Sequence, residues 1–251
     1  MPKVILLVFC LLAVLPMRAA AEILEADELK KLFNSPGREV RAFSAVIDFS
    51  DVPLKLCLWQ KGEQWRQEWT EAGKDSEVVV AASVGRGSLA LSSFGEAEAG
   101  GPVLSLMFKD MQWWLDKGLD PGQQSYQFYH KRPALAVGVS FPEEAGPAVW
   151  FDNENKAILR AVLPVGDDRI DVGWLDHMNV GNYKLPGRMS ISCRQGDFNA
   201  RISWREINAG LDDSLFSPEG LAEAFGGYSY DPPEFVHKFN LVQKNIFSAQ
   251  P

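Results

Sequence analysis

Apolar and polar residues alternate with a period of two over much of this chain, a pattern typical of half-buried β-strands. The segment 40–49 alternates in part: Phe43, Ala45, Ile47 and Phe49 fall on one face, and Ser44, Val46 and Asp48 on the other. Further strands are predicted between turn residues, among them 54–60, 64–70, 77–82, 88–94, 126–131, 134–141, 148–152 and 198–207. In total we expect about ten or eleven short strands.

Three segments show helical spacing instead. The first is 26–34, in which Leu29, Leu32 and Phe33 share one face. The second is 103–117, with Trp113 and Trp114 on its flank. Its predicted apolar stripe consists of Leu104, Phe108, Met111 and Leu115.

The third predicted helix lies near the C-terminus and extends from Glu234 to about Phe247. Pro232-Pro233 opens it, and Asp231 is its predicted N-cap. Phe235, Phe239, Val242 and Ile246 line one face. We therefore expect this helix to dock on the sheet.

Hairpin-length turns between the strands predict an antiparallel sandwich or barrel, because a parallel α/β fold would alternate strands with helices. Several strands are apolar on both faces, for example 78–82 and 134–139. A sheet with one face in water would alternate cleanly, so both faces are expected to be covered. Two explanations remain open at this point, an ordinary two-layer core or an apolar ligand that the protein carries.

The first 21 residues have the features of a secretory signal peptide. Lys3 precedes an apolar run over 4–17, which is shorter than the roughly 20 residues that a membrane-spanning helix needs. Ala19 and Ala21 supply the two small positions before a cleavage site. We therefore expect export and cleavage after Ala21, with an uncleaved membrane anchor as the alternative.

The charge balance of the remaining chain is acidic. The 25 basic residues less Lys3 and Arg18 stand against 33 acidic ones, which gives a net charge near −10. Binding to nucleic acid or to an anionic membrane surface depends on Lys and Arg, so neither partner is expected. No later segment is long and apolar enough for stable membrane insertion.

Catalytic motifs are missing from the sequence: it contains no nucleophile elbow, phosphate-binding loop or zinc-protease motif. His130, His177 and His237 have no His, Cys or carboxylate partner at a ligand spacing. Each is expected to be a surface or half-buried residue. We therefore predict no enzymatic activity, no metal site and no cofactor.

Two cysteines remain after the leader, Cys57 and Cys193. In an exported protein a pair of cysteines favours one disulfide. Both lie in strand-like sequence, which equally fits two buried free thiols. A bridge requires a Cα separation below about 7 Å, so both alternatives stay open.

Three stretches of the chain, in this order, resemble the LolA/LolB-like lipoprotein carriers and related outer-membrane lipoprotein-sorting proteins. They are the first helix with Phe43-Ser44-Ala45 and Gln64-Trp65-Arg66, the hairpin from Ala148-Val149-Trp150-Phe151-Asp152 to Ala157-Ile158-Leu159-Arg160, and the run Asn179 to Arg188 followed by 202–208 and Asp213-Ser214-Leu215-Phe216. Together they cover roughly residues 26–218. The loop 96–101, Gln67 in place of a family Pro, and the tail 228–251 depart from the family pattern.

The resemblance implies a mainly β fold with a few helices, namely an open antiparallel half-barrel with the helices packed in its concave mouth. The concave face of the family is apolar and holds the acyl chains of a lipoprotein. For this chain we expect a signal peptide over 1–21 and one half-barrel domain over 22–251, located in the periplasm and ending in a helical tail. The helix over 103–117 would form part of a lid.

The leading hypothesis is a monomeric periplasmic carrier of lipoprotein acyl chains or another amphipathic lipid, served by a membrane-bound donor or acceptor protein. The predicted ligand contacts are Trp65, Arg66, Trp69, Phe108, Met111 and Leu115. Arg66 is expected at the rim or in the hydrogen bonds of the closed state, because a strand Arg between two Trp residues stacks and donates several hydrogen bonds. The alternative for Arg66 is a surface residue stacked on Trp. The competing function is a periplasmic sensor or protein-interaction module without lipid transfer.

Overall fold

The computed structural model describes residues 23–34, 39–71, 78–80, 83–84, 88–89, 101–138, 146–225 and 232–248. The leader, the N-cap expected at Asp231 and much of the strands expected at 77–82 and 88–94 lie outside these residues. Within them the protein has fifteen strands, four α-helices and two 3₁₀-helices.

Eleven of these strands form one antiparallel sheet that does not close into a barrel. The strands are β1 (Ala42–Phe49), β2 (Leu54–Lys61), β3 (Gln64–Glu71), β4 (Val78–Val80), β5 (Ser83–Val84), β6 (Ser88–Leu89), β7 (Gln124–Tyr129), β8 (Arg132–Val137), β9 (Ala148–Asp152), β10 (Ile158–Val165), β11 (Asp168–Leu175), β12 (Met178–Val180), β13 (Tyr183–Leu185), β14 (Arg188–Cys193) and β15 (Gly196–Ile207). Their order in the sheet is β4-β3-β2-β1-β15-β14-β11-β10-β9-β8-β7, and β5–β6 and β12–β13 form separate hairpins. The predicted fold class, an open antiparallel half-barrel with a few helices, is confirmed.

The α-helices are α1 (Ala26–Phe33), α2 (Met111–Asp116), α3 (Pro218–Phe225) and α4 (Glu234–Ser248). The helices predicted at both ends of the chain are therefore confirmed as α1 and α4. A capping box formed by Glu25 and Glu28 satisfies backbone N–H groups where α1 begins. None of the helices in the described residues is both long and apolar enough to cross a lipid bilayer.

The single helix predicted over 103–117 is wrong. A 3₁₀-helix over Val103–Phe108 ends at Lys109, and α2 begins after the extended Asp110, whose carboxylate accepts a hydrogen bond from the Trp113 N–H. This N-cap starts a new helix with a new phase, and a 3₁₀-helix has three residues per turn rather than 3.6. The predicted stripe is therefore not continuous, and Trp114, expected on the flank, is 0% exposed.

The sheet has an inner face, defined as the face that carries Ile47, Leu56 and Trp69 and packs against the helices. These residues and their counterparts on the other strands form one continuous hydrophobic cluster. The cluster also contains the buried side of α1, the first 3₁₀-helix, Trp114 of α2 and the apolar side of α4. Alternation along each strand sends the intervening residues to the outer face.

The two cysteines are free thiols, so a Cys57–Cys193 disulfide is not present. Cys57 in β2 faces outward, whereas Cys193 at the end of β14 packs against the inner cluster. Two strands lie between them in the sheet, which separates them by at least about 14 Å at the usual strand spacing of about 4.8 Å. Both the distance and the opposite faces rule out a bridge.

One glycine allows β8 to end against the start of β9. Gly138 has a φ of +102°, and a Cβ there would lie 2.2 Å from the Pro147 carbonyl oxygen and 2.7 Å from Leu119 Cδ1. The backbone therefore approaches more closely than any other residue type permits.

Replacing Gly138 tests this packing. We expect Gly138→Ala to lower the free energy of unfolding by about 3 kcal/mol or more, because it combines a left-handed φ with a backbone clash. The matched control is Gly62→Ala, which has a φ of +60° but nothing within 4 Å of its Cβ, and should cost only about 1 kcal/mol. Urea unfolding of both variants measures the difference, and equal losses would contradict the clash.

Candidate functional site

An aromatic cluster that α4 completes occupies the inner face around β1, β3 and β15. Phe49 and Trp69 stack with their ring centroids 5.3 Å apart. The ring of Phe239 lies edge-on to them, 5.1 Å from Phe49 and 5.5 Å from Trp69. Phe235 and Phe198 extend the cluster, with their centroids 5.2 Å apart. Large rings in this geometry make α4 an integral part of the cover.

A buried amide network fixes the register of α4 on the sheet. The Gln243 side-chain amide donates to the side-chain oxygens of Gln67 on β3 and Asn240 one turn away, each at 3.1 Å. The side-chain oxygen of Gln243 accepts a hydrogen bond from the Val103 backbone N–H at 3.1 Å. Gln67 and Gln243 are almost completely buried. Since an unpaired buried amide is costly, this network favours one position of the helix.

Two lysines flank a tryptophan at the margin of the inner cluster, near the end of α4. The Lys109 and Lys117 ammonium groups lie 5.8 Å and 5.4 Å from the Trp113 ring centroid. Lys109 also lies 5.3 Å from the Phe247 ring, whose centroid is 6.0 Å from Trp113. Burial lowers the pKa of both lysines, because it removes water from the charged form. This margin thus combines aromatic surface with incompletely hydrated positive charge.

The residues predicted as ligand contacts are not gathered in one place. Trp69 is 0% exposed within the aromatic cluster, and Phe108 and Met111 pack against the margin of the inner cluster. Trp65 lies on the inner face of β3 and is half-buried, as is Leu115 on α2. Their role in ligand binding stays a prediction.

Arg66 lies on the outer face, opposite to Trp65 and Trp69. It pairs with Trp59 across β2 and β3, and its guanidinium carbon is 5.8 Å from the Trp59 ring centroid. Its Nε donates to Glu68 at 2.5 Å, and a terminal nitrogen donates to the Leu215 carbonyl at 3.3 Å. Arg66 therefore holds the 3₁₀-helix Asp213–Phe216 against the outer face.

The sequence contained signals for the residues that were missed. Period-two alternation along β3 places Trp65, Gln67 and Trp69 on one face, with Gln67 as the polar exception. Gln243 likewise interrupts the apolar side of α4. A polar residue at a core position indicates a buried hydrogen bond, but only the structure pairs these two, which are 176 residues apart.

The three histidines lie in different environments. His130 lies in the β7–β8 turn, His237 is exposed on α4, and His177 is largely buried. His177 Nε2 lies 3.0 Å from the Ile158 carbonyl oxygen, and its Nδ1 has no hydrogen-bond partner among the described residues. Within the described part of the chain, no three His, Cys, Asp or Glu side chains converge on a point where they would hold a metal ion.

Two open clefts lie away from the inner cluster. One, of about 430 Å³, runs beside α1 and is lined by Asp27, Lys30, Lys31 and Asn34. The other, of about 410 Å³, lies on the outer face, where an ion pair of Arg160 and Asp171 is bordered by Tyr129 and Ser190. Both are open to solvent and lined mainly by polar or charged residues, so neither would enclose an acyl chain.

Comparison with solved structures finds a small set of similar folds. A LolA superfamily protein from Nitrosomonas europaea is 10% identical over 77% of this chain and 98% of its own length, with a TM-score of 0.41. The chain is similar to LolA-superfamily structures. A lipoprotein-sorting protein domain from Vibrio parahaemolyticus is 9% identical, with a TM-score of 0.44 over 77% of this chain and 97% of that one.

A DUF1329 family protein from Desulfovibrio piger is also similar, at 12% identity and a TM-score of 0.44, over 77% of this chain and 96% of its own. No protein-family model and no curated protein matches the sequence. The LolA-like structures belong to the superfamily that the sequence motifs resemble.

The burial of His177 predicts an acid-sensitive fold. Its pKa is lowered to about 4, chiefly by burial, so between about pH 6.5 and 4 the unfolded chain binds a proton that the folded chain excludes. Stability should therefore fall as the pH drops through this range, by up to about 3 kcal/mol for this residue. His177→Gln should remove that component, and His237→Gln is the control. Denaturant unfolding at several pH values measures it, and an unchanged pH profile for His177→Gln would contradict the assignment.

Proposed function

We propose that this protein is a periplasmic carrier of an amphipathic lipid. The acyl chains of the lipid bind to the inner face of the sheet in the place that α4 otherwise occupies. The observation that carries this proposal is the continuous apolar surface of the inner face, which a single C-terminal helix covers at its aromatic centre. An open half-barrel gives an elongated cargo a face along which to lie. The LolA-like resemblance of the sequence points to the same class of cargo.

The energetics of the exchange between α4 and a lipid are close to balanced. The apolar side of α4 consists of Phe235, Val236, Phe239, Val242 and Ile246. Burying such side chains is worth about 1.5–3 kcal/mol each, or about 7–15 kcal/mol together. An acyl chain of about fifteen methylene groups gains about 12 kcal/mol when buried at about 0.8 kcal/mol each. A lipid is thus able to compete with the helix, and the helix is able to displace the lipid on release.

The margin formed by Lys109, Trp113, Lys117 and Phe247 is suited to a lipid head group. Trp and Phe rings favour the boundary between apolar and polar groups, and the two ammonium groups supply positive charge. Because burial already lowers the pKa of these lysines, an anion beside them would restore the interactions that water no longer provides. We therefore place an anionic head group at this margin.

Delivery of such a cargo requires a place to load and a place to unload. A secretory leader would bring the mature chain to the periplasm, between two membranes. We propose that a membrane-bound donor or acceptor protein meets the margin near the end of α4, because the head group of the cargo would be exposed there.

A second function is favoured by one specific observation: the chain's own side chains fill the inner face. A half-barrel filled in this way would serve as a periplasmic sensor or protein-interaction module without lipid transfer. The two functions differ in whether α4 leaves the sheet for a ligand.

Weakening the docking of α4 tests the carrier function. We expect Phe239→Ala to tighten binding of a fluorescent long-chain fatty acid by about tenfold or more, since it weakens the competing helix by about 3 kcal/mol or more. The control is Leu241→Ala on the exposed side of the same helix. Fluorescence titration measures the affinity, with thermal unfolding as a check that both variants fold.

Lipid bound to the purified wild-type protein, detected by native mass spectrometry, would support the same conclusion. If neither the wild type nor Phe239→Ala binds fatty acid or lysophospholipid, the carrier function is wrong. A defined periplasmic protein recovered in stoichiometric amount without lipid would then favour the interaction module.

The head-group position has its own test. Lys109→Gln together with Lys117→Gln should weaken binding of an anionic lysophospholipid about tenfold, because two partly desolvated charges are lost. Binding of a neutral monoacylglycerol with the same chain should change little. Lys30→Gln with Lys31→Gln, on the exposed side of α1, is the matched control. Equal losses for both lipids would place the head group elsewhere.

A further inference from the structure

The two ends of the eleven-stranded sheet are built differently. The described part of β4 is three residues long, and its pairing with β3 contains a register shift between Trp69 and Thr70. β7 is six residues long and pairs with β8 in unbroken register from Gln124 to Tyr129. Edge strands are normally protected by shortness, bulges, proline or charge. β7 contains no charged residue, no proline and no bulge, and no other described strand pairs with its free edge.

The geometry of the β7–β8 hairpin identifies the backbone groups on this free edge. His130 and Lys131 have φ values of +46° and +66°, which is the type I′ turn of a two-residue hairpin. Tyr129 and Arg132, which flank this turn, are then a hydrogen-bonded pair, and bonding alternates along the strand. The N–H and C=O groups of Gln124, Tyr126 and Phe128 therefore point away from β8.

The same residues leave apolar surface in water. Phe128 is 79% exposed and Tyr126 is 45% exposed, although both lie on the inner face of the sheet, opposite Pro133 and Leu135. Two exposed aromatic rings beside unpaired backbone groups are characteristic of a surface that is covered in use.

We propose that β7 is a dimerisation edge. The β7 strand of a second copy of this chain pairs with it antiparallel, and the twofold axis passes between the two Tyr126 residues. In this register Tyr126 faces its own counterpart, and Gln124 of each copy faces Phe128 of the other. The three facing pairs exchange about six backbone hydrogen bonds. Residues that face each other across an antiparallel pair project to the same side of the sheet. The inner faces of both copies therefore lie on the same side, and the two sheets form one continuous sheet.

Charge complementarity favours a second copy over another partner. The exposed Asp120 precedes β7, and the exposed Lys131 follows it. Antiparallel pairing about Tyr126 brings the turn that contains Asp120 of one copy close to the turn that contains Lys131 of the other, and the twofold axis makes this approach twice. An uncharged strand lies between them, so no like charges oppose each other. The edge is therefore complementary to itself, and the proposed dimer is an alternative to the monomer expected from the sequence.

Analytical ultracentrifugation of the mature chain over a range of concentrations tests this. The wild type should form a dimer, and Tyr126→Lys should raise its dissociation constant about tenfold or more, because it places two like charges opposite each other. Leu241→Lys, at a similarly exposed position on α4, should leave the dimer unchanged. Lys131→Asp should weaken the dimer, and adding Asp120→Lys should restore it. Thermal unfolding checks that each variant folds.

A photo-cross-linking amino acid at position 128 identifies the occupant of the edge. An adduct of twice the mass of the chain supports the proposal. A wild type that stays monomeric, a dimer indifferent to Tyr126→Lys, or an adduct mainly with another protein would each overturn it. Tyr126 and Phe128 lie away from α4, so fatty-acid binding by Tyr126→Lys should match that of the wild type. Loss of the dimer is thereby distinguished from failure of the carrier function.

Discussion

An open sheet with one apolar face is stable only while something covers that face, and the rest of this structure depends on how the chain meets this requirement. If the helices left the sheet, the hydrophobic surface to which most of its strands contribute would be exposed to water. The cover consists of short pieces, namely α1, the 3₁₀-helix Val103–Phe108, α2 and α4. The α-helices each contribute one apolar side and keep their polar side in water, whereas the 3₁₀-helix is almost entirely buried. Because the cover consists of separate elements, one of them can leave the sheet while the others stay in place.

α4 differs from the other pieces in how it is held. Its rings complete the aromatic cluster around Phe49 and Trp69, and its Gln243 joins β3 and the first 3₁₀-helix through buried amide bonds. Apolar packing supplies most of the attraction, whereas the amides fix the position. An acyl chain reproduces the apolar part of this contact but not the amide bonds. The amides therefore favour the helix-covered form when no lipid is available, which provides a physical basis for release.

The sequence was most informative where a single local pattern decides the structure. Alternation placed Phe43, Ala45, Ile47 and Phe49 on the buried side of β1, and helical spacing found α1 and the apolar side of α4. The same alternation, applied strictly to β3, would have put Arg66 on the outer face. In 103–117 helical spacing failed because a local signal, the cap at Asp110, overrode it. The Gln67–Gln243 bond and the separation of the cysteines depend on strand order, which no local pattern contains.

Hydrogen exchange of α4 is the measurement that tests the central claim most directly. Amide exchange in the segment 236–246 of the purified protein, with and without an anionic lysophospholipid, reports whether the helix remains on the sheet. If lipid takes the place of α4, exchange in this segment should accelerate on binding while β1 and β15 remain protected. Lipid binding that leaves the protection of α4 unchanged or increases it would contradict the account.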